Sequence, residues 1–157
     1  MITIQPPVSA YLTKQGIPHQ VFVHSGQLQS LKQAAEERSQ RPEQVIRSIL
    51  FRCSEGEYLM VLAAGPQQID WKTLRHHLGR SRITMATPEE VLEITGYELG
   101  AVAPFGLPNP VRILVDKSVF AEEEISMGSG IRNVAVILKS ADLKMALGDI
   151  EIGNFIK

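Results

Sequence analysis

Between Gly96 and Pro110 the chain carries three glycines and three prolines in fifteen residues. Such a density of backbone breakers suits neither a helix nor a strand. Regular elements are therefore confined to the two flanks, with an irregular, conformationally restricted segment between them.

On the N-terminal side, the pattern predicts a helix over Pro7–Gln15, with proline in its first turn, an apolar face of Val8, Tyr11 and Leu12, and Gly16 at its end. A strand follows at Gln20–His24, then a helix capped by Ser30 and running through Arg38, and a short turn of helix at Pro42. Val45–Arg52 and Tyr58–Ala63 read as strands. The short polar connection from Cys53 to Glu57 makes them an antiparallel hairpin. A helix opens near Asp70 and stops at Gly79, with Trp71, Leu74 and Leu78 at helical spacing. Arg82–Met85 reads as an edge strand, and Thr87-Pro88-Glu89-Glu90 carries the cap, proline and acids of a helix start.

Beyond Pro110, strands are expected at Val111–Val115, Glu124–Met127 and Asn133–Leu138. A last helix runs from Ser140 or Asp142 to Gly148. Six or seven strands with four or five helices, not alternating regularly, predict a mixed α+β domain rather than a doubly wound sheet. At 157 residues, one domain spanning 1–157 is expected. A chain of this size buries about 70% of its unfolded surface, enough for a core without staples.

Composition excludes several classes. With 44% hydrophobic and 21% charged residues, the chain is neither disordered nor fibrous. A net charge of −1 excludes a globally basic nucleic-acid coat but leaves room for a local patch. Lys72, Arg75, Arg80 and Arg82 form such a patch, read either as solvated surface or as phosphate contacts. Cys53 is alone, so no internal disulfide forms. The single cysteine, the lack of a membrane-length apolar run, and the lack of a basic-then-apolar leader over Met1–Pro7 set a cytoplasmic expectation without membrane partners.

The glycine-rich segments carry most of the site signal. Gly96 to Gly106 has the makings of a ligand-facing wall, and Gly128-Ser129-Gly130, directly after a strand, of a nest of N–H donors. The alternative is that both are simply turns. Neither matches a dinucleotide fingerprint or a P-loop. No metal is expected, because His76 and His77 diverge on a helix and no HExxH or carboxylate cluster accompanies them. His24, at a strand end, is the histidine placed nearest a pocket. Ser129 lacks the flanks of a nucleophile elbow, so its role would be as a donor. Arg47 shares its side of the strand with Val45, Ile49 and Phe51. Its charge must reach solvent, pair with a carboxylate, or line a pocket whose ligand supplies the acceptor.

The order of elements resembles the YbaK/ProX family, the stand-alone relatives of the editing domain inserted in bacterial-type prolyl-tRNA synthetases. The resemblance spans nearly the full length. It rests on Ser30–Glu37 with its Ala34-Ala35 pair, the Val45–Phe51 strand, Thr95-Gly96-Tyr97 with Gly100 and Ala103-Pro104-Phe105-Gly106-Leu107, the strand to Asp116, Gly128-Ser129-Gly130, and Ala141-Asp142-Leu143. It implies a barrel-like mixed sheet flanked by helices and a cleft for the aminoacyl end of a tRNA. It also implies cofactor-free hydrolysis of a mischarged ester, such as alanyl or cysteinyl proline tRNA. The alternative is a non-catalytic module that binds aminoacyl-tRNA or a synthetase. On this resemblance, Arg47, Ser129 and Gly130 surround the reacting ester. His24, Ser30, Gly96, Gly100, Pro104, Phe105, Gly106, Gly128 and Arg132 contact the substrate. One departure stands out: family enzymes usually carry lysine where this chain has Arg47, and arginine keeps the charge but not the compact, deprotonatable ammonium.

Overall fold

The computed structural model describes residues 5–54 and 56–157. Residues 1–4, part of the stretch read as lacking a leader, and Glu55 of the hairpin connection lie outside the described residues. Five α-helices and eight strands follow in the order α1 (Pro7–Lys14), β1 (Gln20–Val23), α2 (Leu31–Glu37), β2 (Ile46–Ser54), β3 (Glu57–Ala64), α3 (Trp71–Leu78), β4 (Thr84–Met85), α4 (Pro88–Thr95), β5 (Arg112–Asp116), β6 (Glu124–Gly128), β7 (Val134–Lys139), α5 (Ser140–Leu147) and β8 (Glu151–Gly153). Short 3₁₀ turns occupy Pro42–Gln44 and Lys117–Phe120.

The strands form two sheets, one of order β1-β7-β6 and one of order β4-β2-β3-β5-β8. β2 and β3 pair antiparallel, as the short polar connection predicts, whereas β3–β5 and β5–β8 are parallel. The α+β character is as expected, but among the described residues the sheet does not close into a barrel. The two sheets instead meet at a parallel bridge between Val45 and Ser126. β4 pairs with β2 only at Phe51 and Arg52. Among the described residues, the Arg47–Ile49 stretch of β2 therefore has β3 on one side and no strand on the other.

Burial explains why β3 reads as an unbroken apolar run. Met60 and Leu62 face one core, with Leu50, Val115, Ile125 and Met127, while Leu59 and Val61 face a second, with Phe51, Leu114, Leu74 and Phe155. Both faces of the strand are covered, so no polar alternation is required. Helix starts follow their local signals. The Ser30 hydroxyl oxygen accepts the Gln33 N–H at 3.0 Å, Asp70 Oδ1 accepts that of Thr73 at 3.2 Å, and Thr87 and Glu90 form a reciprocal capping box.

Candidate active site

Where β2 lacks a second neighbour, the structure opens into a cavity of about 450 Å³. β2 contributes Arg47 and Ser48, α2 contributes Ala34, its C-cap contributes Arg38, and the two glycine-rich segments contribute Gly100 and Gly128. Ser30 lies on its rim. Among the described residues lining it, none is acidic.

Arg47 sits in β2 opposite Ala63, a partner too small to crowd the guanidinium. Its Nη2 donates to the Gln67 carbonyl, and its Nε is buried without a protein partner. Among the described residues no carboxylate pairs with it. Of the three fates open to this charge, carboxylate pairing is not seen among the described residues; the half-buried Arg47 borders the cavity and finds one acceptor in the Gln67 carbonyl. Burial pushes its pKa down from the usual arginine value. The neighbouring Ser48 hydroxyl is also buried without a partner. Successive strand residues alternate, so these two orphaned polar groups lie on opposite faces of β2, each a point where a ligand or water completes the hydrogen bonding.

The remaining predicted residues are distributed more widely. Gly128 brings β6 so close to the other glycine-rich segment that a Cβ there would stand 2.4 Å from the Val102 carbonyl oxygen. Ser129 and Gly130 lie behind this contact and do not line the cavity. Ser129 is fully buried and its hydroxyl donates to the Val134 carbonyl at 2.7 Å; the Gly130 N–H donates to the Ala101 carbonyl. Those donors hold the turn and are not free to face an ester oxygen. Gly96 ends α4 in the left-handed conformation, φ +77°.

Pro104, Phe105 and Gly106 turn away from the cavity to border a separate cleft with Tyr11. Phe105 stacks on Tyr11 at 4.8 Å between ring centroids, so apolar packing draws this part of the segment into the core. Of the stretch from Gly100 to Gly106, only Gly100 and Val102 reach the cavity. Arg132 is exposed and lies 3.8 Å from Glu98.

His24 is buried behind the cavity rather than on its wall. The basic residues of α3 sit on the face of the five-stranded sheet that also carries Arg47, because Trp71 packs edge-on against Phe51 and Phe51 shares its strand face with Arg47. Lys72, Arg75, Arg80 and Arg82 do not line the cavity, and Arg80 is held by Glu57. Sequence reasoning missed Arg38, Ser48 and Asn133 as cavity residues. Asn133 had a local signal after the fact: it is one of two described non-glycine residues at positive φ, +63°, which lets its side-chain oxygen accept the Leu28 N–H.

Among the described residues, no three His, Cys, Asp or Glu side chains gather to hold a metal, and no helix is long and apolar enough to cross a membrane.

YwhH, an uncharacterized protein of Bacillus subtilis (strain 168), is 33% identical over 114 residues, covering 73% of this chain and 72% of that protein. The multifunctional Ser/Thr-tRNA deacylase ProXp-y of Escherichia coli (strain K12) is 33% identical over 100 residues, 63% of this chain and 59% of that one. A proline–tRNA ligase of Kosmotoga olearia is 35% identical over 98 residues, and the matched region spans 17% of that protein's length. A solved structure described as a putative trans-editing enzyme for prolyl tRNA synthetase shares the fold, with TM-score 0.86, 23% identity, and coverage of 96% of this chain and 95% of that one. The aminoacyl-tRNA editing domain profile matches residues 25–146, which include the cavity wall from Leu28 to Val134, and on that match the chain belongs to the aminoacyl-tRNA editing domain family, in agreement with its resemblance to YbaK/ProX proteins.

Proposed function

We propose that this chain hydrolyses, in trans, the ester bond of a mischarged aminoacyl-tRNA. The observation that carries the reading is Arg47: a cation with a buried, unpartnered Nε on the wall of a cavity shared with Gly100 and Gly128. A ligand bearing an anionic or acceptor oxygen answers that vacancy. The aminoacyl end of a tRNA offers both a phosphodiester and an ester carbonyl.

In the reaction, a water oxygen adds to the ester carbonyl carbon and the bond from that carbon to the ribose oxygen breaks. The ribose oxygen takes a proton, leaving a free amino acid and an unacylated tRNA. Arginine stays charged, so Arg47 serves as an electrostatic partner for the developing oxyanion or the neighbouring phosphate and not as a proton acceptor. The proton therefore passes to solvent or to a group of the substrate. In this scheme the Ser48 hydroxyl, buried without a protein partner in a residue that lines the cavity, orients the water or the ester oxygen. No metal or other cofactor has a part in this scheme. The acyl groups it takes are small, alanyl and cysteinyl esters on proline tRNA being the first to assay. Partners are aminoacyl-tRNA and, in a coupled setting, a synthetase; the reaction belongs to the cytoplasm.

The test is deacylation of a panel of purified mischarged tRNAs by the native protein, Arg47→Ala and Arg47→Lys. Loss of turnover with alanine and retained or increased turnover with lysine is the expected result. Equal rates for all three proteins remove Arg47 from the mechanism. The arginine in place of the family lysine favours one other reading, a module that binds aminoacyl-tRNA or a synthetase without catalysis, and tight binding with no release from any substrate would establish it.

A further inference from the structure

Arg38 follows the last residue of α2 and lines the cavity as its second guanidinium. It is held on two sides. Nε donates to His24 Nε2 at 3.0 Å, and Nη1 donates to Ser126 Oγ at 2.9 Å. Because His24 Nε2 accepts, the ring proton sits on Nδ1, which donates to Glu37 Oε1 at 2.7 Å. Ser126 Oγ in turn donates to Gln40 Oε1 at 2.6 Å, and Gln40 Nε2 donates to Glu124 Oε1 at 3.0 Å. The chain Glu37–His24–Arg38–Ser126–Gln40–Glu124 thus clamps the guanidinium, with its carboxylates one or two groups away.

What the clamp leaves over is Nη2. Among the described residues it has no hydrogen-bond partner. Leu31, Ala34, Val45 and Met127 are among the residues that make the cavity lining mostly apolar, with Ser30, Ser48 and Asn133 as its uncharged polar members. An arginine whose only task was to bridge α2 and β6 would not need its free edge on a cavity. Burial lowers its pKa to about 10, so it remains charged at neutral pH and seeks an acceptor. A phosphodiester, bulky and strongly hydrated, is poorly suited to a mostly apolar lining. A small acyl side chain carrying one acceptor oxygen suits it well.

We infer that Arg38 is a specificity-determining residue: its Nη2 reads an acceptor oxygen on the side chain of the bound acyl group, favouring hydroxyl- or carboxylate-bearing acyl groups over the bare methyl of alanine. His24 and Glu37 are positioning residues that aim the guanidinium. The inference rests on the aminoacyl-ester reading above and refines its substrate class. A site built to bond an oxygen discriminates strongly against an analogue without it.

The probes are non-hydrolysable adenosines carrying alanyl, seryl or aspartyl groups through a 3′-amide, with binding measured by calorimetry. The native protein is expected to bind the seryl or aspartyl analogue at least about 10-fold more tightly than the alanyl one. The tighter of the two tells hydroxyl from carboxylate. Arg38→Met should bring the ratio to within about twofold of unity. Arg38→Lys, which cannot hold both His24 and Ser126 while reaching the cavity, should lower it several-fold and serves if the methionine variant fails to fold. His24→Phe should also lower the ratio, and His24→Gln, whose amide oxygen can accept from Arg38, should restore part of it. A native ratio near one, a ratio unchanged in the Arg38 variants, or no binding of any analogue overturns the inference. A changed melting temperature with an unchanged ratio does so too, because it leaves Arg38 a purely structural role. Absent deacylation with the ratio intact instead overturns the hydrolase reading and leaves Arg38 as the selector of a binding module.

Discussion

The Gly130 N–H donates to the Ala101 carbonyl oxygen at 3.0 Å, tying together two glycine-rich segments that lie almost thirty residues apart. Immediately beside this bond, Gly128 leaves no room for a side chain. Gly128→Ala should therefore force the segments apart and cost about 1–3 kcal/mol by overpacking. Gly100→Ala meets no atom within 4 Å, so its cost should come from its φ of +90° alone, about 1–2 kcal/mol. Urea denaturation distinguishes them: Gly128→Ala should also weaken ligand binding by deforming the wall, and an unchanged midpoint would show that the approach is not tight.

Asp116 should matter for stability without touching the cavity. It is 1% exposed, its Oδ1 accepts the Phe155 N–H at 2.6 Å, and its Oδ2 accepts the Ser118 N–H at 2.9 Å. Asp116→Ala strands two donors and should cost about 2–5 kcal/mol in chemical denaturation. Ligand affinity, measured well below the melting temperature, should stay within about twofold. A loss of affinity at full folding would place Asp116 in the site.

Acid should weaken the fold through Glu90. Hydrogen bonds from the Thr87 N–H and then from the Tyr58 hydroxyl hold its carboxyl below the ordinary glutamate value of 4.5. A group with a depressed folded-state pKa contributes stability above its unfolded pKa and loses that contribution as pH falls through the folded value. The urea midpoint should therefore drop as pH falls below 4.5, and Glu90→Gln should flatten that part of the profile. An identical slope in wild type and variant would assign the acid sensitivity to Glu37, Asp70 and Glu151, whose carboxyls are also held low.

Basic residues on α3 give a prediction for the tRNA body. Lys72 and Arg75 lie on the Arg47 face of the sheet without an ion-pair partner among the described residues, whereas Arg80 is 2.5 Å from Glu57. Lys72→Glu with Arg75→Glu should reduce tRNA affinity and flatten its dependence on salt concentration by about one unit of slope per lost phosphate contact. Arg80→Ala should do less. Unaltered affinity and slope in the double variant would leave this patch as solvated surface.

Most of the architecture was legible because its signals are local. The capping box at Thr87–Glu90 and the short polar connection between β2 and β3 are complete within a few residues. β8 escaped notice because three residues, Glu151–Gly153, acquire meaning only by pairing with β5. Barrel closure was expected from the family resemblance, but the two sheets touch at one bridge and remain separate. Within the site, Arg47 betrayed itself by placing a charge among apolar strand neighbours. Arg38 gave no such sign, since its partners His24 and Ser126 lie 14 and 88 positions away. The Gly96–Gly106 segment was read as one wall because sequence shows where a backbone is restricted, not which way it turns. Stacking of Phe105 on Tyr11 decided the direction.

The cavity occupies a gap in strand pairing beside Arg47–Ile49, so a guest can enter and leave without unzipping a ladder. Tolerance follows from that arrangement. Side chains at the gap are free to diverge toward new guests while the β2–β3 hairpin, buttressed by two separate cores, goes on supporting the fold.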